Sequence, residues 1–221
     1  MISLEGVDHV LPRVRQKLTV VLDLDECLVH SVFPNGDKYR QSEARPENIN
    51  LVDSMHLVLG GVEPVVVNRR PGLTKFLEQL SVDYHVVVFT AGRKEYAEEV
   101  LDAIDPQGTF FHHRLYRCSC RQARGNIYLK DLDRPVGEAL ERTVLVDNSP
   151  LSFICQPSNG ILVSSWYDDP HDNALSSVLK LIRHLDACDD VRPTLTALFG
   201  LEPVLKEYQE VSAPPTVQLH L

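Results

Sequence analysis

Four short apolar segments alternate along the chain with stretches of helical periodicity. Residues 17–22 and 85–89 are runs rich in β-branched and aliphatic side chains, and residues 143–146 and 160–163 repeat the pattern. Strands that are apolar on both faces are typical of a parallel sheet covered by helices. The alternation therefore predicts an α/β fold with a central, mostly parallel sheet and right-handed crossovers.

Apolar residues between these strands recur at the spacing of amphipathic helices. One helix begins at Pro71-Gly72, a second covers about residues 93–104, and a third follows the last strand. Their predicted inner faces consist of Leu73, Phe76, Leu77 and Leu80; of Tyr96, Val100, Leu101 and Ile104; and of Leu175, Val178, Leu179, Ile182 and Leu185. Short strands are also expected near residues 113–116 and 127–129.

A small antiparallel insertion interrupts the alternation. Residues 50–59 and 62–67 are two apolar runs, and the Gly60-Gly61 pair between them is a hairpin signal. We place this insertion at about residues 43–68 of a domain that spans residues 17–202. Residues 1–16 form an N-terminal segment, and residues 203–221, which contain Pro214-Pro215 and little periodicity, are expected to be a tail.

Polar residues follow three of the predicted strands directly. Asp23 and Asp25 come after the first strand, Thr90 after the second, and Asp147-Asn148 after the third. Ligands of open α/β sheets bind beyond the carboxyl ends of the strands. The polar residues are therefore expected to meet at one site.

The acidic residues suit phosphoryl transfer assisted by Mg²⁺, which prefers oxygen ligands. Asp23 can be a nucleophile that forms an aspartyl-phosphate, and Asp25 can serve as general acid and then base. Lys130 is a candidate to offset the phosphate charge. Taken singly, the Asp residues could instead cap a helix or form an Asx-turn, Lys130 could be a solvated surface lysine, and Thr90 could be a strand-end hydroxyl.

Composition narrows the class of protein. The net charge of −9 argues against a general nucleic-acid or anionic-membrane binder. Residues 1–16 lack the apolar core of a signal peptide, and no apolar run approaches the roughly 20 residues that span a bilayer. Five scattered cysteines indicate reduced thiols inside a cell. Cys118 and Cys120, after His112 and His113, could form half of a zinc site, although ordinary thiols fit better.

Several motifs occur in an order that resembles the haloacid dehalogenase superfamily, and more narrowly the small phosphatases of the RNA polymerase II carboxy-terminal domain (the NLI-interacting-factor type). The similarity runs from about Lys17 to Leu198. The motifs are Asp23-Leu24-Asp25-Glu26-Cys27-Leu28-Val29-His30-Ser31, Arg70-Pro71-Gly72, Phe89-Thr90-Ala91, Arg124-Gly125-Asn126, Lys130-Asp131-Leu132 and Val146-Asp147-Asn148-Ser149-Pro150.

The resemblance implies a three-layer Rossmann-like fold, Mg²⁺ as cofactor, and a role for each motif residue. Asp23 would be nucleophile and metal ligand, and Asp25 the general acid and base with its carbonyl on the metal. Thr90 and Lys130 would hold phosphoryl oxygens. The metal site would also include Asn148 and Asp147.

Three further positions match residues that contact substrate in this family. Phe33 and Tyr96 would line an apolar pocket and Arg117 would face the substrate, although core packing or a surface role explains them equally well. Two departures concern specificity: Cys27 replaces the usual threonine, and Arg93 replaces an apolar residue of the peptide pocket.

The sequence thus predicts a Mg²⁺-dependent phosphatase of phosphoserine and phosphothreonine in proteins, with the polymerase tail as a possible substrate, located in the nucleus or cytoplasm. A small-molecule phosphatase is the first alternative, but the span between Ser31 and Pro71 is short for a cap domain. A non-catalytic scaffold is the second, and the intact catalytic set argues against it. The oligomeric state cannot be inferred from the sequence.

Overall fold

The computed structural model describes residues 16–34, 52–123, 126–133 and 139–212. The N-terminal segment up to residue 15, residues 35–51, which include the start of the expected insertion, Arg124-Gly125 and Pro214-Pro215 lie outside these residues. The strands are β1 (Thr19–Leu22), β2 (Val29–Val32), β3 (Ser54–Leu59), β4 (Glu63–Arg69), β5 (His85–Phe89), β6 (His113–Leu115), β7 (Arg121–Gln122), β8 (Tyr128–Leu129), β9 (Thr143–Asp147) and β10 (Gly160–Leu162). The helices are α1 (Leu73–Asp83), α2 (Lys94–Ile104), α3 (Ala174–Asp186), α4 (Arg192–Phe199) and α5 (Leu201–Ser212).

Five parallel strands form the central sheet, in the order β10-β9-β1-β5-β6. Strand β1 lies in the middle, where Val20 pairs with Val86 of β5 on one side and with Val144 of β9 on the other. This arrangement confirms the predicted α/β class. Because the strands are parallel, β1, β5 and β9 end at the same edge of the sheet.

Alternate residues of the central strands pack into cores on opposite faces of the sheet. One core contains Val20, Leu22, Val86, Val88, Val144 and Val146 together with the apolar faces of α1, α2 and α3. The other contains Val21, Val87, Phe89 and Leu145 with Leu129, Phe153, Leu201 and Leu205. The continuous apolar runs are therefore explained by a sheet that is buried on both faces.

A second, antiparallel sheet has the order β2-β4-β3 and includes the expected hairpin. Gly60 and Gly61, with φ of 55° and 75°, form its turn, a backbone region that favours glycine. The Gly60 N–H donates to Glu99 Oε1 on α2 at 2.9 Å, which ties the hairpin to the main domain. Strand β2 was not predicted, and it connects this sheet to the segment that carries Asp23 and Asp25.

The expectation of an irregular tail from Pro203 onward is wrong as far as Ser212. Residues Leu201–Ser212 form α5, and the side chain of Leu205 is 1% exposed in the second core. Pro203 lies in the first turn of α5, where a missing N–H costs no helical hydrogen bond. None of the described helices is long and apolar enough to cross a membrane.

Candidate active site

The segment after β1 turns sharply and leaves two carboxylates at the end of the sheet. The Asp23 N–H donates to the Val146 carbonyl at 3.0 Å, so pairing with β9 continues one residue past the strand. Glu26 then takes a left-handed conformation with φ of 57°, and its N–H donates to the Val29 carbonyl at 2.7 Å. A non-glycine residue in this region is strained, and such strain is often found at functional sites.

Lys130 joins Asp23 to Asp147. It follows β8, only 2% of the residue is exposed, and its Nζ donates to Asp147 Oδ2 at 2.5 Å and to Asp23 Oδ1. The other oxygen of Asp147 accepts the Ser149 N–H at 2.8 Å. Lys130 is therefore a buried part of the site, and the alternative of a solvated surface lysine is wrong.

Burial and neighbouring charges shift the pKa values of Asp23 and Lys130. Desolvation raises the pKa of Asp23 well above its ordinary value, the charge of Asp147 raises it further, and Lys130 offsets the rise only in part. Burial alone would lower the pKa of Lys130, but the two carboxylates outweigh it and raise that pKa. Two carboxylates thus contact one ammonium group, and a further positive charge nearby would stabilise both in their ionised forms.

The carboxyl group of Asp25 lies among hydroxyl groups. The Tyr96 hydroxyl donates to Oδ1, and Thr90 Oγ1 donates to Oδ2 at 3.4 Å. Burial raises the pKa of Asp25 to about 6, opposed by the Tyr96 hydrogen bond and increased by the charge of Glu26. An acid with such a pKa can be protonated in part near neutral pH, which suits a group that first gives and then takes a proton.

Thr90 ends β5 and contacts the turn that follows. Its Oγ1 accepts the Gly92 N–H at 2.8 Å. A Cβ on Gly92 would lie 3.0 Å from Thr90 Oγ1 and 3.4 Å from both Asp25 Oδ2 and Tyr96 Cδ1. The lack of a side chain at Gly92 therefore allows these groups to approach one another.

Three oxygen atoms converge beside Asp23. When the Asn148 amide nitrogen donates to Ser165 Oγ at 2.9 Å, the amide oxygen lies 3.2 Å from Asp23 Oδ2 and 3.3 Å from the Asp25 carbonyl, neither of which is a donor. If the Asn148 amide is rotated by half a turn, its nitrogen donates to Asp23 Oδ2 and to the Asp25 carbonyl. A cation between the three oxygens satisfies the first orientation equally well.

The donor set fits Mg²⁺. Oxygens bound at right angles to Mg²⁺ lie about 3 Å apart, close to the separations around Asn148. Among the described residues, no group of three or more His, Cys, Asp and Glu side chains could hold a metal, so this set depends on one carboxylate, one amide and one main-chain carbonyl. Both oxygens of Asp147 have other partners, and its predicted bond to the metal has no support from these contacts.

The predicted substrate-contact residues lie in different surroundings. Phe33 and Tyr96 have ring centroids 6.0 Å apart, and both are only partly buried. Arg117 Nε donates to the Ala91 carbonyl at 2.6 Å, and its guanidinium lies over the Tyr128 ring. Arg117 therefore supports the loop that carries Thr90, and its contact with substrate stays a prediction. Arg93 is exposed beside this loop, just before α2.

Several contributors were not identified from sequence. Ser31 contacts the Tyr96 hydroxyl, Ser165 orients Asn148, and Asp172 holds the fully buried Arg70. Arg70 Nη1 also donates to the Cys27 carbonyl at 3.0 Å, which anchors the segment after Asp25. Cys27 itself is buried, and its Sγ lies 3.9 Å from the Val146 carbonyl oxygen.

A family model described as NLI interacting factor-like phosphatase matches residues 18–192. The human "Carboxy-terminal domain RNA polymerase II polypeptide A small phosphatase 1" is 37% identical over 193 residues, which cover 86% of this chain and 69% of that protein. "Phosphatase Herzog" of Drosophila melanogaster is 38% identical over 194 residues, covering 85% of this chain and 50% of its own length. The chain spans between 36% and 56% of the length of other relatives, from budding yeast and Dictyostelium.

A solved structure supports the fold. It is that of the fission yeast RNA polymerase II CTD phosphatase Fcp1, in a variant form bound to beryllium fluoride. The match covers 89% of this chain and 57% of the Fcp1 chain, with a TM-score of 0.52. The sequence identity is 21%, so the similarity concerns the fold and not the chemistry.

Proposed function

The chain belongs to the NLI interacting factor-like phosphatase family, and we propose that it hydrolyses phosphoserine and phosphothreonine in proteins with Asp23 as a covalent nucleophile and Mg²⁺ as cofactor. The observation that carries the proposal is the convergence of Asp23, Asp25, Thr90, Lys130 and Asn148 at one edge of the sheet. These residues come from four separate parts of the sequence, because Asp23 and Asp25 share one segment. Each supplies a group that phosphoryl transfer needs.

The reaction begins with attack of an Asp23 carboxylate oxygen on phosphorus. The bond between phosphorus and the serine or threonine oxygen breaks, and Asp25 gives its proton to the leaving oxygen. Asp25, now ionised, takes a proton from a water molecule as that water attacks the aspartyl-phosphate. Inorganic phosphate leaves and Asp23 is regenerated.

Lys130 and Thr90 bind the phosphoryl oxygens in this scheme. The ammonium group of Lys130 already lies on Asp23, so it can hold the nucleophile and the phosphate together. Asp147 contacts neither reacting group in the scheme and instead positions Lys130. Buried donors of this kind stabilise charge that develops in the transition state, because they need little reorganisation.

Asp23, Asn148 and the Asp25 carbonyl would hold the metal. When bound, Mg²⁺ neutralises phosphoryl charge and lowers the pKa of Asp23, so that the nucleophile is ionised. The buried surroundings of Asp23 make this second effect large, since burial raises its pKa in the protein alone.

Three features support a protein substrate. The relatives include a polymerase carboxy-terminal-domain phosphatase. The described part of the segment between β2 and α1 forms only the β3–β4 hairpin, and Phe33 with Tyr96 offers an apolar surface beside Asp25. We therefore propose phosphorylated segments of the polymerase tail as substrates, with action in the nucleus or cytoplasm.

The direct test measures phosphate release from an aryl phosphate. We expect activity that requires Mg²⁺, is abolished in Asp23→Asn, and is unchanged in the matched control Asp83→Asn at an exposed position. Full activity in excess chelator, or in Asp23→Asn, would contradict the mechanism. Peptides of the polymerase tail should be hydrolysed faster than sugar phosphates, and the reverse order would favour the small-molecule alternative.

A further inference from the structure

Both carboxylate oxygens of Asp25 have a hydroxyl neighbour, but the two contacts differ. Thr90 Oγ1 lies at 3.4 Å, beyond the usual range for a hydroxyl donor, and it also accepts the Gly92 N–H. The Tyr96 hydroxyl donates directly to Oδ1. The orientation of the Asp25 side chain therefore depends mainly on Tyr96.

Tyr96 is itself fixed from several sides. Its hydroxyl lies 2.6 Å from Ser31 Oγ on β2, so the phenol links Ser31 to Asp25. Its ring packs near Phe33, and the turn at Gly92 lies close to Cδ1. A tyrosine has only two side-chain torsions, so these contacts leave the hydroxyl little freedom.

We propose that Tyr96 is a positioning residue for the phosphatase reaction, in which its hydroxyl, held by Ser31, directs the Asp25 carboxyl group toward the oxygen that leaves phosphorus. The inference rests on the proposed function, because it assigns Asp25 the role of general acid and base. It differs from the pocket role expected of Tyr96, which concerns only the apolar ring.

The two roles of Tyr96 predict different kinetics. A ring that only lines a pocket affects substrate binding, and replacement of the hydroxyl by hydrogen keeps the ring. A hydroxyl that orients the acid acts in the transition state, so its loss lowers kcat and leaves KM nearly unchanged. The Tyr96 ring lies near Phe33, and the Tyr96 hydroxyl contacts Asp25. A substrate residue that packs on the ring would therefore contact the side chain that orients Asp25.

The test compares Tyr96→Phe, Ser31→Ala and the parent with a phosphoserine peptide, whose serine oxygen must be protonated as it leaves, and Mg²⁺. We expect kcat of Tyr96→Phe to fall about 10- to 100-fold with KM within about twofold, the size of a hydrogen bond to a charged group. Ser31→Ala should show a smaller fall in kcat. The control is Tyr84→Phe. Tyr84 is a buried tyrosine just before β5, at the end of that strand farthest from Thr90, so this variant should match the parent in kcat and KM. A kcat of Tyr96→Phe within twofold of the parent, or a change confined to KM, would overturn the proposal.

A second measurement does not need turnover. A tyrosine hydroxyl held on a carboxylate should give a downfield proton NMR signal that exchanges slowly with water. We expect this signal in the parent and in Tyr84→Phe, its loss in Tyr96→Phe, and its displacement in Asp25→Asn. Absence of phosphate release from the parent would refute the proposed function, whereas absence of the signal in the parent would overturn the positioning contact itself.

Discussion

The ion pair of Arg70 and Asp172 should contribute strongly to the stability of the fold. The guanidinium donates to both Asp172 oxygens at 2.8 Å and to Ser164 Oγ at 3.3 Å. It also donates to the Cys27 carbonyl at 3.0 Å. Asp172 in turn accepts the Ala174 N–H at 2.9 Å, at the start of α3. Removal of Arg70 therefore disturbs β4, the Asp25 segment and α3 together.

The magnitude follows from the burial of both partners. The Arg70 side chain is 0% exposed and that of Asp172 is 13% exposed. Truncation in Arg70→Ala leaves the partly buried carboxylate of Asp172 and the buried carbonyl of Cys27 without their donor, a change that costs about 3–5 kcal/mol when such a pair is buried. For a domain of this size, each kcal/mol lowers Tm by about 2–4 °C, so we expect Tm to fall by roughly 6–20 °C.

Urea unfolding followed by circular dichroism measures this change. A double-mutant cycle with Asp172→Ala separates the interaction between Arg70 and Asp172 from their other contacts. The double variant should lose less unfolding free energy than the two single variants lose together. Arg192→Ala is a matched control. Arg192 donates to both oxygens of Asp190, but the two side chains are 41% and 37% exposed, so its removal should cost at most about 1 kcal/mol.

Acid should remove the contribution of the pair. Burial would raise the pKa of Asp172, but the hydrogen bonds from Arg70 and the Ala174 N–H, with the charge of Arg70, outweigh it and lower that pKa. The stabilisation is therefore complete above the unfolded pKa of about 3.9 and is lost as the pH falls through the folded pKa. The difference in stability between parent and Arg70→Ala should narrow as the pH falls below about 4, to the part that the Cys27 and Ser164 contacts contribute. A loss under about 1 kcal/mol at pH 7, or a difference that does not narrow in acid, would refute this reasoning.

Three further predictions concern other parts of the molecule. Leu205→Ala should lower the free energy of unfolding in urea by about 2–4 kcal/mol, because Leu205 is 1% exposed. Val204 is 65% exposed, so the control Val204→Ala should lower it by under about 0.5 kcal/mol, and equal losses would contradict the packing of α5. Gly92→Ala should lower kcat roughly tenfold in the aryl phosphate assay, because its Cβ would lie 3.0 Å from Thr90 Oγ1, and unchanged kcat would show that the turn can yield. Mg²⁺ at 100 times its Kd for the parent should raise the unfolding free energy of the parent by about 2.7 kcal/mol, and the same concentration should raise that of Asn148→Ala by much less. Thermal unfolding measures both changes, and equal gains would exclude Asn148 as a ligand.

Periodicity predicted the central sheet well because its strands are buried on both faces. Continuous apolar runs such as residues 85–89 have no other simple explanation in a chain of alternating elements. The ends of β1, β5 and β9 then had to meet, since parallel strands finish at one edge. Lys130 was a weak prediction from its position alone, and only the tertiary fold shows that it is buried between Asp23 and Asp147.

Other features depend on contacts that leave little trace in local sequence. Strand β2 has polar residues, and its pairing with β4 is decided by long-range hydrogen bonds. Helix α5 is an exception, because Leu201, Val204, Leu205 and Tyr208 have helical spacing in the sequence, which the prediction of a tail overlooked. The position of the helix depends on packing of Leu201 and Leu205 against the second core. Asp172 lies 102 positions from Arg70, so no spacing rule could pair them.

The most direct test of the central claim is to trap phosphate on Asp23. Protein mixed with a phosphorylated substrate and Mg²⁺ is quenched in acid, treated with borohydride, which reduces an acyl phosphate to an alcohol, and digested for mass spectrometry. We predict conversion of Asp23 to homoserine, with Asp25 unchanged and no conversion when substrate is omitted. Hydrolysis of the substrate without any conversion at Asp23, or with conversion at another carboxylate, would contradict the account.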